Sequence, residues 1–142
     1  MVQTASRITV ADAQELIDGA PFGIWWGFRA EAVAAGEARV RLPARPELYR
    51  PGGVLHGPAC MALADVAFWI AIASLNGPDE PALTVDMTTT FLDGARGDLE
   101  GVSRILRAGS RIVQGVVDTY DGERPVAHHS VTYIRQPARP GG

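Results

Sequence analysis

One segment of the chain is almost continuously apolar. Residues 58–75 read PACMALADVAFWIAIASL, and a helix of these 18 residues would be about 27 Å long. That length is near the lower limit for crossing a bilayer, but Asp65 lies in its middle, where a carboxylate would cost about 2.5–3.5 kcal/mol in lipid. The Gly-Pro pairs on either side are turn signals without cationic anchors. The pattern therefore predicts a buried helix inside a folded domain and no contact with a membrane.

Four segments after this helix are typical of strands. They cover residues 81–92, 99–106, 111–120 and 125–135. The sequences between them, GARG, AGS and DGE, have the chemistry of hairpin turns. In the first segment, strict alternation puts Leu83 and Val85 on the face of Met87 and puts Thr84 on the opposite face.

The residues before the helix predict shorter elements. Residues 28–34 and 37–42 can form one or two strands, and residues 9–16 a short amphipathic helix capped by Thr9 or Asp12. We expect one domain over residues 1–142, with a helical extension at 1–20 and a flexible tail at 136–142.

This order of elements favours an α+β architecture. Because the long helix is apolar on all sides, we expect one curved antiparallel sheet of five or six strands to wrap around it. A single such sheet leaves its edge strands and one end of the helix open, so we expect a second copy of the chain to pair with it.

Composition and charge exclude several classes of function. A net charge of −3 argues against generic nucleic-acid binding, which needs a basic excess. The lone cysteine, Cys60, excludes an internal disulfide and a four-cysteine zinc site. The first residues lack the pattern of a signal peptide, and we expect a cytoplasmic protein.

Asp65 is the first candidate for chemistry. It is the one charged side chain in residues 51–78, and its neighbours one helical turn away, Met61 and Trp69, are apolar. Burying a carboxylate without partners costs several kcal/mol, so such a residue favours a role as general base, nucleophile or buried acceptor. The alternative is a structural role, such as capping a loop or pairing with an arginine.

Gly57 is the second candidate, because it opens the helix ahead of Pro58. The N–H groups of a helix start can stabilise an oxyanion, although most helix starts are merely capped. Eight residues separate Gly57 from Asp65, which is roughly 12 Å along one helix. One chain therefore cannot easily place both groups on one reacting carbon, whereas two copies related by a twofold axis can.

These residues resemble a known family. The stretch HGPACMALADVA, followed by TVDMTTTFLDGARGDLEG, is similar to the hot-dog-fold acyl-CoA thioesterases, and within them to the branch of the phenylacetate-degradation thioesterase. The resemblance covers about residues 27–135. It implies a hot-dog fold, a homodimer or homotetramer, an acyl-CoA substrate, and no cofactor beyond the coenzyme A carried by that substrate. It also implies that Asp65 acts as base or nucleophile, and that the Gly57 N–H of another subunit polarises the thioester carbonyl.

The chain departs from the family pattern at several positions around the site. Arg50 stands where such enzymes usually have Asn or Gln, and Pro58 replaces a second glycine. Val66 stands where a Thr often follows the carboxylate, and Trp69 one turn later would narrow the space. Arg50 can donate to a substrate oxygen or pair with Asp65. We expect Arg50, His56, Pro58 and Trp69 to shape the substrate site, with His56 bracing the loop.

Two further arginines are candidates for substrate binding. Arg104 and Arg111 lie on either side of the AGS turn and can contact the phosphates of coenzyme A, which arginine binds in bidentate fashion. The alternative is a solvated charged turn.

The cysteine and the histidines offer rival chemistry. Cys60 lies four residues after His56, so a Cys–His nucleophile is conceivable, although a lone cysteine in an apolar run is usually a core residue. His128 and His129 are adjacent on a strand, so they point to opposite faces and cannot easily share a metal. We expect no metal site.

Two other classes of function stay open at this point. One is a non-catalytic protein that binds acyl thioesters, which is favoured if Arg50 neutralises Asp65. The other is a hot-dog hydratase or dehydratase, although the Asp and His four to five residues apart that such enzymes commonly carry are absent here.

Overall fold

The computed structural model describes residues 5–136, in which a six-stranded antiparallel sheet packs against one long helix. The helices are α1 (Val10–Gly19), α2 (Pro21–Trp26) and α3 (Gly57–Asn76), with a 3-10 turn at Pro46–Leu48. The strands are β1 (Arg29–Ala34), β2 (Glu37–Leu42), β3 (Tyr49–Arg50), β4 (Val54–Leu55), β5 (Ala82–Phe91), β6 (Leu99–Ala108), β7 (Ile112–Asp121) and β8 (Arg124–Arg135). The main sheet has the order β1-β2-β6-β7-β8-β5, and β3 and β4 form a separate ribbon. All six strands of the main sheet contact α3, so the predicted α+β hot-dog fold is confirmed, with six strands.

The central helix is buried chiefly by the sheet. Twelve of the 20 residues of α3 are buried. The helix is long and apolar enough to cross a membrane, but 67% of its most apolar window is buried inside the fold. Two glycines in the sheet allow α3 to pack closely against it. A Cβ atom on Gly115 would lie 2.6 Å from Cε1 of Phe68, and a Cβ atom on Gly101 would lie 3.0 Å from Cγ of Leu63. The burial of α3 is thus explained by packing against its own sheet.

One face of α3 is left uncovered by this chain. Met61, Ala62, Asp65 and Trp69 are only half-buried, and their spacing of three to four residues puts them on one side of the helix. We call these four residues the open stripe of α3. The sequence predicts a helix enclosed on all sides, and within one chain that prediction is wrong along this stripe.

Strand β5 forms one edge of the sheet and contains an irregularity. Its register with β8 shifts between Thr84 and Asp86, so that Val85 is an extra residue without a partner. Thr84 pairs with Tyr133 and Met87 pairs with Val131, and both of these β8 residues are buried. Thr84 therefore shares the helix-facing side of the sheet with Met87. The strict alternation predicted from the sequence is wrong for Thr84, because a bulge reverses the faces of the residues beyond it.

The N-terminal segment packs against the first strand. The predicted short helix is confirmed as α1, and the Thr9 side chain and Asp12 form a reciprocal capping box at its start. The Gln14 amide donates to the Phe28 carbonyl and accepts from the Ala30 N–H, which ties α1 to β1. The short helix α2 is an addition to the predicted elements. Residues 1–4 of the predicted extension lie outside the described residues, as does the predicted tail except for residue 136.

A buried histidine links the edge strand to the rest of the sheet. His129 on β8 is fully buried, and its Nδ1 and Nε2 lie 2.8 Å from the hydroxyl oxygens of Thr89 on β5 and Thr119 on β7. Burial, with a smaller contribution from the charge of His128, lowers the pKa of His129 from 6.5 to about 4. This bridge ties β5 to β8 and β7 on the helix-facing side of the sheet.

We predict that His129 makes the fold sensitive to acid. In the unfolded chain this ring takes up a proton near pH 6.5, whereas the buried ring remains neutral until about pH 4. The unfolded state therefore binds more protons in that window, and the free energy of unfolding decreases as pH falls through it, by on the order of 3 kcal/mol. Urea unfolding at about pH 7 and pH 4.5 measures this loss. Between these two pH values, His129→Gln should lose less stability than the wild type. His128→Gln changes a residue on the outer face of the sheet and should lose as much stability as the wild type. Equal acid dependence in the wild type and His129→Gln would contradict the assignment.

Candidate active site

The carboxylate of Asp65 is held by two hydroxyl groups from the sheet. Its Oδ1 accepts hydrogen bonds from Thr84 Oγ1 at 2.6 Å and from the Tyr133 hydroxyl at 2.7 Å. The Tyr133 oxygen also lies 3.0 Å from the main-chain carbonyl oxygen of Asp65. Among residues 5–136, no side chain or N–H donates to Oδ2 of Asp65. The group thus keeps one oxygen free beside the open stripe of α3.

No cationic side chain of the described residues pairs with Asp65. Burial and the neighbouring Asp65 carboxylate both raise the pKa of the Tyr133 phenol well above its usual range, so this group stays protonated and donates. Both partners of Asp65 are therefore neutral donors, which form hydrogen bonds to the carboxylate without neutralising it.

The start of α3 presents the second predicted group. His56 is the N-cap residue, without a side-chain capping bond, and its own N–H donates to the Leu48 carbonyl at 2.8 Å. His56 and Pro58 are exposed, and Gly57 is half-buried. The Phe91 ring lies over Gly57, where a Cβ atom would be 3.2 Å from Phe91 Cζ. A side chain at position 57 would therefore displace that ring.

Gly57 and Asp65 do not meet within one chain. Both belong to α3, and the helical rise puts them roughly 12 Å apart. A cavity of about 390 Å³ is lined by residues of β1, β2, β6 and β7 and contains neither group. In a single chain the candidate site is therefore an open surface along α3 and the edge strand β5.

The structure separates Arg50 from Asp65 and brings an aromatic pair close to it. Arg50 lies on the exposed ribbon strand β3, and within one chain it does not form the pair that would neutralise Asp65. Trp69, one turn after Asp65, packs against Phe22 of α2 with ring centroids 6.3 Å apart. No pattern in the sequence places Phe22 at the site, because that contact depends on how α2 docks.

The two predicted phosphate-binding arginines lie in different places. Arg104 pairs with Glu37 and Val116 in the sheet and faces away from α3, since its neighbour Ser103 is buried on the helix side. Arg111 lies just before β7, and its carbonyl accepts the Arg135 N–H at 2.7 Å. Arg135 follows Tyr133 by two residues, so Arg111 lies at the same end of the sheet as the Asp65 cluster. Their contact with phosphates stays a prediction.

The structure argues against the rival chemistry. Cys60 is 4% exposed, and burial raises the pKa of its thiol to about 11, so the thiolate needed for attack is scarce at neutral pH. His128 contacts Asp118 on the outer face, with Nδ1 2.6 Å from Oδ1, and His129 is in the core, so the two histidines point to opposite faces as predicted. Within residues 5–136, no group of three or more His, Cys, Asp and Glu side chains is placed to hold a metal ion.

Comparisons with known proteins identify relatives of this chain. Residues 52–128, which include Gly57 and Asp65, match the family model of the thioesterase superfamily. A Thermoplasma volcanium protein, named as an inferred esterase, is 32% identical over 108 residues, which cover 72% of this chain and 77% of that protein.

Solved structures share the same fold. A protein of a Silicibacter species, described as an inferred thioesterase, superposes with a TM-score of 0.84 at 27% identity, covering 93% of this chain and 94% of that one. A mutant of the phenylacetic acid degradation protein of Thermus thermophilus superposes with a TM-score of 0.75 at 24% identity, covering 82% of this chain and 100% of that one. The second likeness is one of fold.

We predict that Cys60 is inert in the native protein. Because its thiol is buried and has a raised pKa, a disulfide reagent such as DTNB should react slowly at neutral pH and rapidly after unfolding in guanidinium. Cys60→Ala should also keep the activity of the wild type. Rapid stoichiometric labelling of the native chain, accompanied by loss of activity, would restore the Cys–His hypothesis.

Proposed function

The chain belongs to the thioesterase superfamily, and on that premise we propose that it hydrolyses an acyl-CoA thioester to the free acid and coenzyme A. Family membership supports thioester hydrolysis as the general activity. The observation that carries the more specific proposal is the Asp65 carboxylate, which is bound by two neutral hydroxyls on one oxygen and free on the other. An ionised carboxylate in this position can take a proton from water or attack a carbonyl directly.

The proposed reaction needs few groups. As general base, Asp65 removes a proton from water while the water oxygen attacks the thioester carbonyl carbon. The C–S bond then breaks, and coenzyme A leaves as a thiolate, whose thiol has an ordinary pKa near 8.5 and needs little acid assistance. As nucleophile, Asp65 instead forms an anhydride, which water hydrolyses. Both routes pass through an oxyanion, which the Gly57 N–H is proposed to stabilise.

A second copy of the chain is proposed to complete the site. The separation along α3 means that the Gly57 N–H facing a given Asp65 must come from a partner subunit. The edge strand supports such an assembly, because β5 and the residue after it expose large apolar side chains, Leu83, Val85, Phe91 and Leu92, each more than half exposed. Unpaired edge strands with apolar side chains are surfaces for pairing with another chain.

The remaining predicted residues are assigned to substrate binding. We propose that Trp69 with Phe22 forms a wall beside the acyl group, and that Arg50, His56 and Pro58 border the thioester. Arg104 and Arg111 remain candidates for binding the coenzyme A phosphates. Because Arg104 faces away from α3, it could bind phosphates only on the outer face of the sheet or at the Asp65 site of another subunit. No other cofactor is proposed.

The two alternative functions have less support. The non-catalytic binding protein depended on neutralisation of Asp65 by Arg50, and within one chain Arg50 lies on the exposed strand β3 and does not form that ion pair. A hydratase needs a histidine that can exchange a proton with substrate. His129 has both ring nitrogens bound to threonines, and His128 lies on the outer face of the sheet. His56 is exposed at the start of α3 but precedes Asp65 by nine residues, so the Asp–His spacing of four to five residues that such enzymes commonly carry is absent.

We predict that Asp65→Asn reduces kcat at least about 10³-fold, because the amide cannot act as base or nucleophile. Release of free thiol from short, medium, branched and aryl acyl-CoAs measures the effect, and thermal unfolding checks that the fold is kept. Asp86→Asn is the matched control, since Asp86 lies on the same strand as Thr84 but pairs with Thr132 on the outer face. Unchanged hydrolysis by Asp65→Asn would exclude the assignment.

We predict that two inactive variants complement each other. Asp65→Asn removes the carboxylate, and Gly57→Pro removes the N–H, so each homodimer should be inactive. When the two are unfolded together and refolded in equal amounts, half of the dimers should be mixed, and each mixed dimer contains one intact site. Activity should then return to about one quarter of the wild-type value. Size-exclusion chromatography confirms that each variant assembles, and no recovery by assembled mixtures would place both groups of a site in one chain.

A further inference from the structure

Two hydroxyl groups from different strands converge on one oxygen of Asp65. We propose that Thr84 and Tyr133 are positioning residues that fix the rotation of this carboxylate, so that Oδ2 is the oxygen that acts on the substrate. The inference rests on the proposed function of Asp65 and adds the two residues that orient it. Neither residue was a candidate from the sequence.

The contact distances are those of bonds to a charged acceptor. Thr84 Oγ1 and the Tyr133 hydroxyl lie 2.6 and 2.7 Å from Oδ1. Hydroxyl donors approach an ionised carboxylate to about 2.5–2.7 Å, closer than they approach a neutral oxygen. Tyr133 has one proton and two acceptors in reach, and the carboxylate is nearer than the Asp65 carbonyl at 3.0 Å. Tyr133 therefore donates to Oδ1.

Each donor is itself held in place. Tyr133 is 3% exposed, and its ring packs against Phe68 with centroids 5.3 Å apart. Thr84 reaches Asp65 because the bulge at Val85 turns it to the helix-facing side. An uninterrupted strand would put Thr84 on the outer face. The bulge thus has a specific consequence at the candidate site, as bulges beside active sites commonly do.

Two donors on one oxygen restrict the carboxylate more than one donor does. The terminal torsion of an aspartate is broad and nearly twofold, so a free side chain would present either oxygen in many orientations. Because Oδ1 is bound by donors from two strands, the carboxylate is fixed in one orientation, with Oδ2 free at the open stripe of α3. Preorganisation of this kind lowers the barrier of the chemical step and has little effect on substrate affinity.

The test uses variants that each remove one hydroxyl. Tyr133→Phe keeps the ring that packs on Phe68, and Thr84→Val keeps the shape of an exposed edge residue. Tyr120→Phe is the control, because Tyr120 pairs with Glu100 on the outer face of the sheet. We expect kcat to fall about tenfold in each positioning variant, with KM within about twofold of the wild type, and Tyr120→Phe to match the wild type.

A purely structural role would not move the pH dependence. Loss of a donor leaves the ionised carboxylate less stabilised, so the acid limb of the pH–rate profile should move to higher pH in Tyr133→Phe and Thr84→Val. Among the described residues, the titratable side chain that contacts Asp65 is Tyr133. Asp86 is on the same strand as Thr84 but faces the outer side of the sheet, away from Asp65. Thermal unfolding of each variant separates a local effect from loss of the fold.

A second measurement does not depend on turnover. The side-chain carboxyl carbon of Asp65, assigned with Asp65→Asn, can be titrated by NMR in the wild type and in both variants. Its midpoint should rise when either hydroxyl is removed. If the midpoint and kcat are unchanged in both variants, the positioning role is wrong, whatever the activity of the wild type. If no acyl-CoA is hydrolysed but the midpoint rises, the proposed function fails while the orientation of Asp65 by these hydroxyls stands.

Discussion

A carboxylate in the middle of an apolar helix needs donors from outside that helix, because α3 itself has no free N–H groups at position 65. Asp65 is half-buried, so its carboxylate loses part of its hydration, and the sheet supplies polar groups that replace it. Strands β5 and β8 do so with one hydroxyl each. Neutral donors stabilise the ionised form while leaving its charge available, and an arginine in their place would have quenched it. Much of the arrangement of this end of the sheet serves that contact.

For the proposed chemistry, the same region is incomplete in a single chain. The open stripe of α3, the apolar edge of β5 and the Phe22–Trp69 pair form one surface around Asp65, whereas Gly57 is roughly 12 Å away on the same helix. A twofold partner is the simplest way to cover the surface and to bring an N–H group to the carboxylate. In the proposed dimer, the edge strand would link assembly to chemistry, because it carries both Thr84 and the exposed side chains of the proposed contact.

Several expectations from the sequence hold because they depend on short-range patterns. The long helix, the order of strands and the capping of α1 at Thr9 follow from periodicity and turn chemistry. The alternation of β5 fails at Thr84 because a bulge depends on the register with β8, about fifty residues further along the chain. The docking of Phe22 on Trp69 is equally non-local, since α2 is too short to show a periodic pattern.

The sequence by itself determined that one solitary carboxylate lies on the central helix, and that it lies too far from the helix start to share a reaction centre with it in one chain. Helical geometry is local, so residue spacing is sufficient for both conclusions. Only the tertiary structure decided that Thr84 and Tyr133 hold Asp65, that Arg50 of the same chain does not, and that Arg104 faces away from α3. Those outcomes depend on strand register and on which face of the sheet meets α3, and both are set by pairing between distant segments.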